Sequence, residues 1–123
     1  MTISEAINKI DSLKPNGYSQ TDKISWLSLA DGMIKNNIID THEGGEDITF
    51  NGYNDDTPLD TELIVKAPYD ELYISFLASK MDFFNGEFVR YNNNIVRFND
   101  TMTAYGNHHN RTHMPKGKHI KYY

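Results

Sequence analysis

The chain has 123 residues, a formal net charge of −5 and 38 % hydrophobic content, with eight Tyr, six Phe and no Cys. That length supports one domain with a modest core rather than two, and the lack of Cys excludes disulfides and thiolate chemistry. No apolar run approaches the roughly 20 residues of a membrane-spanning helix. The opening Met1-Thr2-Ile3-Ser4-Glu5 also lacks the basic and apolar parts of a signal peptide, so a soluble, unexported protein is expected.

Thr2 and Glu5 stand at capping-box spacing ahead of Ile3, Ala6, Ile7, Ile10 and Leu13, which share one helical face. Pro15-Asn16-Gly17 ends this first short helix. A second box, Ser19 and Asp22, opens a helix to about Asp40, with Ile24, Leu27, Ala30, Ile34 and Ile38 on one side and Trp26, Leu29 and Met33 beside them. Gly44-Gly45 marks its exit. Residues 42 to 66 then form an acidic connection: between positions 41 and 71 nine carboxylates face a single cation, Lys66. The segment is an acidic loop or, where the β-branched and aromatic stretches Ile48–Phe50 and Leu63–Val65 pair, a short β-hairpin.

Pro68 suits the first position of a helix, where its missing N–H is not needed, and Asp70 and Glu71 suit the positive end of the dipole. From there Ile74, Leu77, Met81, Phe84, Phe88, Tyr91, Ile95, Phe98, Met102 and Tyr105 fall on a stripe of alternating three- and four-residue steps. The spacing predicts one long helix over about 68–112, roughly 67 Å at 1.5 Å per residue. Asn85-Gly86 permits a kink at a cost of about 1 kcal/mol, but the stripe keeps its phase across it, which argues against a reversal. Aromatic-Asn pairs at Phe84-Asn85, Tyr91-Asn92 and Phe98-Asn99 edge the stripe, without the alternating Glu and Lys of a two-stranded zipper. Leu72, Phe76, Phe83, Val89 and Val96 lie off it, on faces two short helices cannot cover, and are the candidate subunit interface, the alternative being that they line the intramolecular core. The fold class expected is therefore all-α: a small bundle of two short helices and one long one, spanning residues 1–113.

No residue beyond Asp100 is acidic, and Arg111, Lys116, Lys118 and Lys121 with four His make the C-terminal end basic. A small helical protein that binds DNA through this tail is the alternative reading, against which the net negative charge speaks. His109 and His113 have metal-ligand spacing, but Asn110, Arg111 and Thr112 between them supply no zinc-protease Glu, and no third ligand completes a site. Asn54, Asp55, Asp56 and Asp60 resemble a calcium loop in composition but lack its Gly and its terminal Glu. The stripe carries no inward carboxylate for a bundle enzyme, and no phosphate loop or nucleophile elbow is present. Neither catalysis nor a cofactor or metal is expected.

The ordered segments Asp31-Gly32-Met33-Ile34-Lys35, Ile38-Ile39-Asp40-Thr41-His42-Glu43-Gly44, Tyr69-Asp70-Glu71-Leu72-Tyr73, Asp82-Phe83-Phe84-Asn85-Gly86-Glu87, Arg90-Tyr91-Asn92-Asn93 and Asn110-Arg111-Thr112-His113-Met114-Pro115 carry a resemblance. Together they look like the small helical head-tail connector, or adaptor, proteins of long-tailed double-stranded DNA bacteriophages and prophages. The match is weakest from Gly45 to Asp60. What the resemblance implies is a virion neck protein, made in the host cytoplasm, that forms a dodecameric ring below the portal around the channel through which DNA passes. Two apolar faces suit a heterologous, ring-closing contact, and a negative ring lets DNA slide without binding. By the same resemblance the extended tail of residues 114–123 docks on the portal, through Met114, Pro115, Lys116, Lys118, His119, Ile120, Lys121, Tyr122 and Tyr123. The loop residues Glu46, Asp47, Phe50, Tyr53, Asp55 and Asp56 face the next neck component, the stopper.

Overall fold

A computed structural model gives the fold and describes residues 1–114. Helix α1 spans Ile3–Leu13 and opens as expected: Thr2 Oγ1 accepts from Glu5 N at 3.1 Å, and Glu5 Oε1 accepts from Thr2 N at 2.9 Å. Ile3, Ala6, Ile7 and Ile10 are buried. Leu13 is 65 % exposed, because the helix ends there and the chain leaves the bundle face through the extended Lys14. Helix α2, Gln20–Ile34, is capped by Ser19, whose Oγ accepts from Asp22 N at 3.1 Å. It continues through a wider π-helical turn, Lys35–Ile39, which carries both Ile38 and Ile39 into the core.

The expected long helix is two. A 3₁₀ turn, Tyr69–Glu71, follows Pro68 and leads into α3, Leu72–Phe84; α4 runs over Phe88–Thr112. Between them the chain reverses. Phe83 meets Tyr91, Phe76 meets Phe98 and Tyr69 meets Tyr105, at ring-centroid distances of 5.5, 4.9 and 5.9 Å, which is the pairing of an antiparallel hairpin. The reversal is built from backbone bonds. Glu87 N donates to Asp82 O at 2.8 Å and Gly86 N to Phe83 O at 3.1 Å, the paired bonds of a Schellman cap, with Gly86 at φ 75° in the left-handed region that favours Gly. The in-phase stripe had argued against this turn. Periodicity reports which face of a helix is buried, however, and both arms of a hairpin bury a face as one long helix would.

With α4 folded back, α3 becomes the central helix, packed against α1, α2 and α4. Leu72, Tyr73, Ile74, Phe76, Leu77, Ala78, Ser79, Met81 and Asp82 are all buried in it, so it is apolar nearly all round, as a core helix is. Leu72 and Phe76 are therefore interior residues and not part of a subunit interface. Asp82, off the stripe, is a buried carboxylate that sequence reading passed over. Lys14 Nζ lies 2.5 Å from its Oδ1, and Asn94 Nδ2 donates to its Oδ2 at 2.7 Å, tying the start of the α1–α2 link to the hairpin. Of the three Asn that edge the stripe, Asn85 accepts from Tyr18 Oη at 2.6 Å; Asn92 and Asn99 are exposed. Asp70 and Glu71 sit in the 3₁₀ turn instead of a helix's first turn, where Asp70 lies 3.7 Å from the N-terminal amine and Glu71 pairs with Lys9.

No strand forms among the described residues, so the expected β-hairpin is absent. Residues 59–63 bond instead to the chain entering α1: Ile3 N donates to Thr61 O at 3.1 Å, Ser4 N to Leu59 O at 2.9 Å and Leu63 N to Met1 O at 3.0 Å. The N–H groups of Leu63, Ile64 and Val65 that a partner at 48–50 would have used are already paired, with Met1 O, Asp31 and the Tyr73 hydroxyl.

Candidate interaction surfaces

Three features stand out on this bundle: an apolar patch at the hairpin tip, the acidic loop, and a cluster of imidazoles at the far end of α4. The patch follows from the reversal. α3 delivers Phe83 and Phe84 to the turn and α4 starts with Phe88 and Val89, so three Phe rings meet, with Val89 next in the chain, where few neighbours can cover them. Phe83, Phe84, Phe88, Val89 and, two turns along α4, Val96 are 49, 60, 59, 76 and 54 % exposed. Phe83 packs edge-on to Phe84 and Phe88 at 5.4 and 6.1 Å, and Phe84 stacks on Trp26 of α2 at 6.0 Å, so the rings are mutually held and outward-facing. Contiguous exposed aromatics of this kind mark contact surfaces.

The acidic loop is anchored at its base by a buried carboxylate on α2. Asp31 accepts from Tyr53 Oη and Tyr73 Oη, each at 2.5 Å, and from Ile64 N at 3.2 Å, while Val65 N donates to the Tyr73 hydroxyl at 2.8 Å. One side chain thereby fixes both ends of the segment 53–65. Burial pushes the Asp31 carboxyl above its ordinary value, against the lowering effect of its three donors. The Tyr53 and Tyr73 phenols are pushed up as well, first by burial and then by Asp31.

The loop residues expected to face a partner divide accordingly. Tyr53 is half-buried on Asp31, and Phe50 packs edge-on against it at 5.1 Å. Asp55 accepts from Thr21 Oγ1 at 2.9 and 3.1 Å, which ties it to the start of α2. Glu46, Asp47 and Asp56 are exposed. Of the expected docking tail, only Met114 lies within the described residues. It is exposed, and its carbonyl accepts from Glu43 N at 2.9 Å, so the root of the tail touches the root of the loop.

The imidazole cluster forms at that junction. His42, from the exit of α2, meets His109 edge-on at 4.5 Å, and His109 stacks on His113 at 3.9 Å with 12° between the planes. Sequence reading paired His109 with His113 but missed His42, which no local spacing connects to α4. Among the described residues no group of three or more His, Asp or Glu is placed to hold a metal ion. Asn54 accepts from Asp56 N at 2.8 Å, a local turn contact, and Asp55 is engaged with Thr21, so the calcium-like composition is used in shaping the loop. No helix of the described chain is long and apolar enough to cross a membrane.

No protein-family model, no curated protein and no solved structure matches the chain.

Proposed function

We propose that this chain is a head-tail connector of a long-tailed double-stranded DNA bacteriophage or prophage, a subunit of a ring that links portal to tail and surrounds the DNA channel. The observation that carries the reading is the exposed aromatic patch at the tip of the α3–α4 hairpin, considered beside the resemblance of the ordered sequence segments. Completing the burial of Phe83, Phe84, Phe88, Val89 and Val96 is worth roughly 4–8 kcal/mol, from about 1.5–3 kcal/mol per fully buried side chain and the half of each still exposed. That is comparable to the freedom lost when two subunits associate, about 4–15 kcal/mol. A free subunit therefore sits near the association threshold, and docking on a pre-formed ring tips it. In this reading the hairpin tip meets the neighbouring subunit, Glu46, Asp47 and Asp56 face the stopper, and residues 114–123 dock on the portal. The net charge of −5 lets DNA pass without salt-dependent attachment.

The test is light-scattering mass of the purified chain alone, with portal rings, and with duplex DNA. A large, defined complex with portal rings alone is the expected result. Salt-sensitive binding to DNA without affinity for portal overturns the reading in favour of a DNA-binding protein. A chain shortened to residues 1–113 should keep its helical circular-dichroism signal and lose portal attachment; co-sedimentation of the shortened chain with portal refutes the docking role of the tail.

A further inference from the structure

The junction between the acidic loop and the end of α4 sets a cluster of titratable groups against the apolar wall of Ile39, Ile48, Ile64 and Ala67. His109 is buried among His42, presented by the exit of α2, Tyr69 of the 3₁₀ turn, Tyr105 and His108 of its own helix, and His113, the extended residue that follows it; Lys66 lines the adjoining cavity of about 220 Å³. No carboxylate lines that cavity. Between about pH 4 and 8, where the phenols stay neutral, every charge that can develop among its lining residues is positive.

We propose that His42, His109 and His113 form an acid-opened latch that holds the last turn of α4 against the root of the acidic loop. At neutral pH the latch is closed by contacts that need an uncharged His109. Its ring lies on His113 at 3.9 Å and nearly parallel, which leaves no room for water between the two, and takes the edge of His42 at 4.5 Å. The joint is completed by His42 Nδ1, which donates to Ile38 O at 2.5 Å, by His42 Nε2, 2.5 Å from Asn110 Oδ1, and by the Glu43 N–H bond to Met114 O. A side-chain amide turns either its oxygen or its nitrogen toward a ring, so the Asn110 contact adapts to whichever role His42 Nε2 takes. His109 has no such adaptable partner. Burial first, then His113, His42 and His108, lower its imidazole to about 4. Once charged, it faces three imidazoles with no carboxylate among them, Lys66 at the rim of the cavity being already paired with Glu62 at 3.3 Å, and the last turn parts from the loop root. The inference rests on this cluster alone and does not depend on the connector reading.

The ring resonances of all five His, followed by nitrogen-correlated NMR from pH 8 to 4 on the full chain, test the latch together with amide exchange at Asn110, Arg111, Thr112 and His113. His109 should titrate far below the ordinary value of 6.5. Opening of the last turn, corrected for intrinsic exchange rates and compared with core amides such as Leu77, should rise by about 100-fold as pH falls from 7 to 4, the linkage expected of a shift from 6.5 to about 4. His109→Phe keeps a ring in the stack without a titrating proton and should flatten that rise. His113→Ala should move the His109 midpoint back toward 6.5. A His109 midpoint near 6.5 in the wild-type chain, or a last turn whose opening ignores pH, overturns the proposal even if neither variant folds.

Discussion

Replacing Tyr73 with Phe removes one oxygen from the interior and leaves every carbon in place, so it isolates the hydroxyl that joins Asp31 to Val65. That oxygen is fully buried, donates to Asp31 Oδ1 at 2.5 Å and accepts from Val65 N at 2.8 Å. The lost bond to a carboxylate costs about 1.5–3 kcal/mol, and the orphaned Val65 N–H adds about 1–3 kcal/mol of desolvation that nothing offsets. We expect a loss of about 3–5 kcal/mol, a large part of the roughly 5–15 kcal/mol that holds a small domain folded. Tyr53→Phe is the internal control. Its hydroxyl also donates to Asp31 at 2.5 Å, but the ring is half-buried and its hydroxyl accepts no backbone N–H, so about 1–2 kcal/mol is expected. Urea unfolding followed by circular dichroism measures both, with an unchanged slope showing that the denatured state is unaffected. A Tyr73→Phe loss below about 1 kcal/mol, or a loss smaller than that of Tyr53→Phe, would refute the assignment of Asp31 as the anchor of the loop.

Phe98→Ala should cost about 3–5 kcal/mol, because Phe98 fills the hairpin interior against Phe76, whereas Val96→Ala, two residues earlier on the exposed face, should stay within about 0.5 kcal/mol; equal losses in urea would mean that α4 does not pack as described. The double change Phe88→Asp with Val89→Asp should leave the urea midpoint nearly unmoved and abolish portal-dependent assembly in light scattering, and assembly that persists would place the subunit contact elsewhere. Asp31 and His109 impose opposite pH dependences. Burial makes folded Asp31 hold its proton more tightly, so its contribution is present below the ordinary 3.8 and is lost as pH rises through the folded value. Folded His109 holds its proton less tightly, so its contribution is full above 6.5 and is lost as pH falls to about 4. Between pH 4 and 7, the melting temperature of Asp31→Asn should therefore climb more steeply than that of the wild type, and that of His109→Phe less steeply. A change in the same direction for both variants would contradict the signs.

Local chemistry was legible in the sequence and long-range closure was not. Thr2 with Glu5 and Ser19 with Asp22 mark real helix starts because a cap needs only residues three positions apart. The apolar faces of α1 and α2 were equally readable from their spacing. Gly86 carried the correct signal for a helix end, but the continuing stripe was given greater weight, although a stripe is blind to chain direction. The error propagated: with no reversal, Leu72 and Phe76 had no neighbour to cover them and were assigned to an interface. The anchoring of Tyr53 and Val65 on Asp31 and Tyr73, and the meeting of His42 with His109, join residues from 8 to 67 positions apart by contacts that no local pattern announces. Phe83, Val89 and Val96 are exposed as expected, but because they sit at the hairpin tip and on the outer face of α4, not because two short helices fail to cover a single long one.

Because Tyr53 and Ile64 both bond to the one carboxylate of Asp31, the stretch between them is a closed loop whose ends are fixed irrespective of what lies at its tip. Residues 59–63 are held against the entry to α1, which leaves the turn at Asn54–Thr57, where Thr57 N donates to Asn54 O at 3.0 Å, joined to the helical body, among the described residues, only by the exposed Asp55–Thr21 side-chain contact. Lengthening a loop whose ends are already fixed costs only about 0.6 kcal/mol per doubling. Insertions at this turn are thus the changes the protein tolerates most readily, and relatives of this chain should differ in length there before they differ anywhere in the helices.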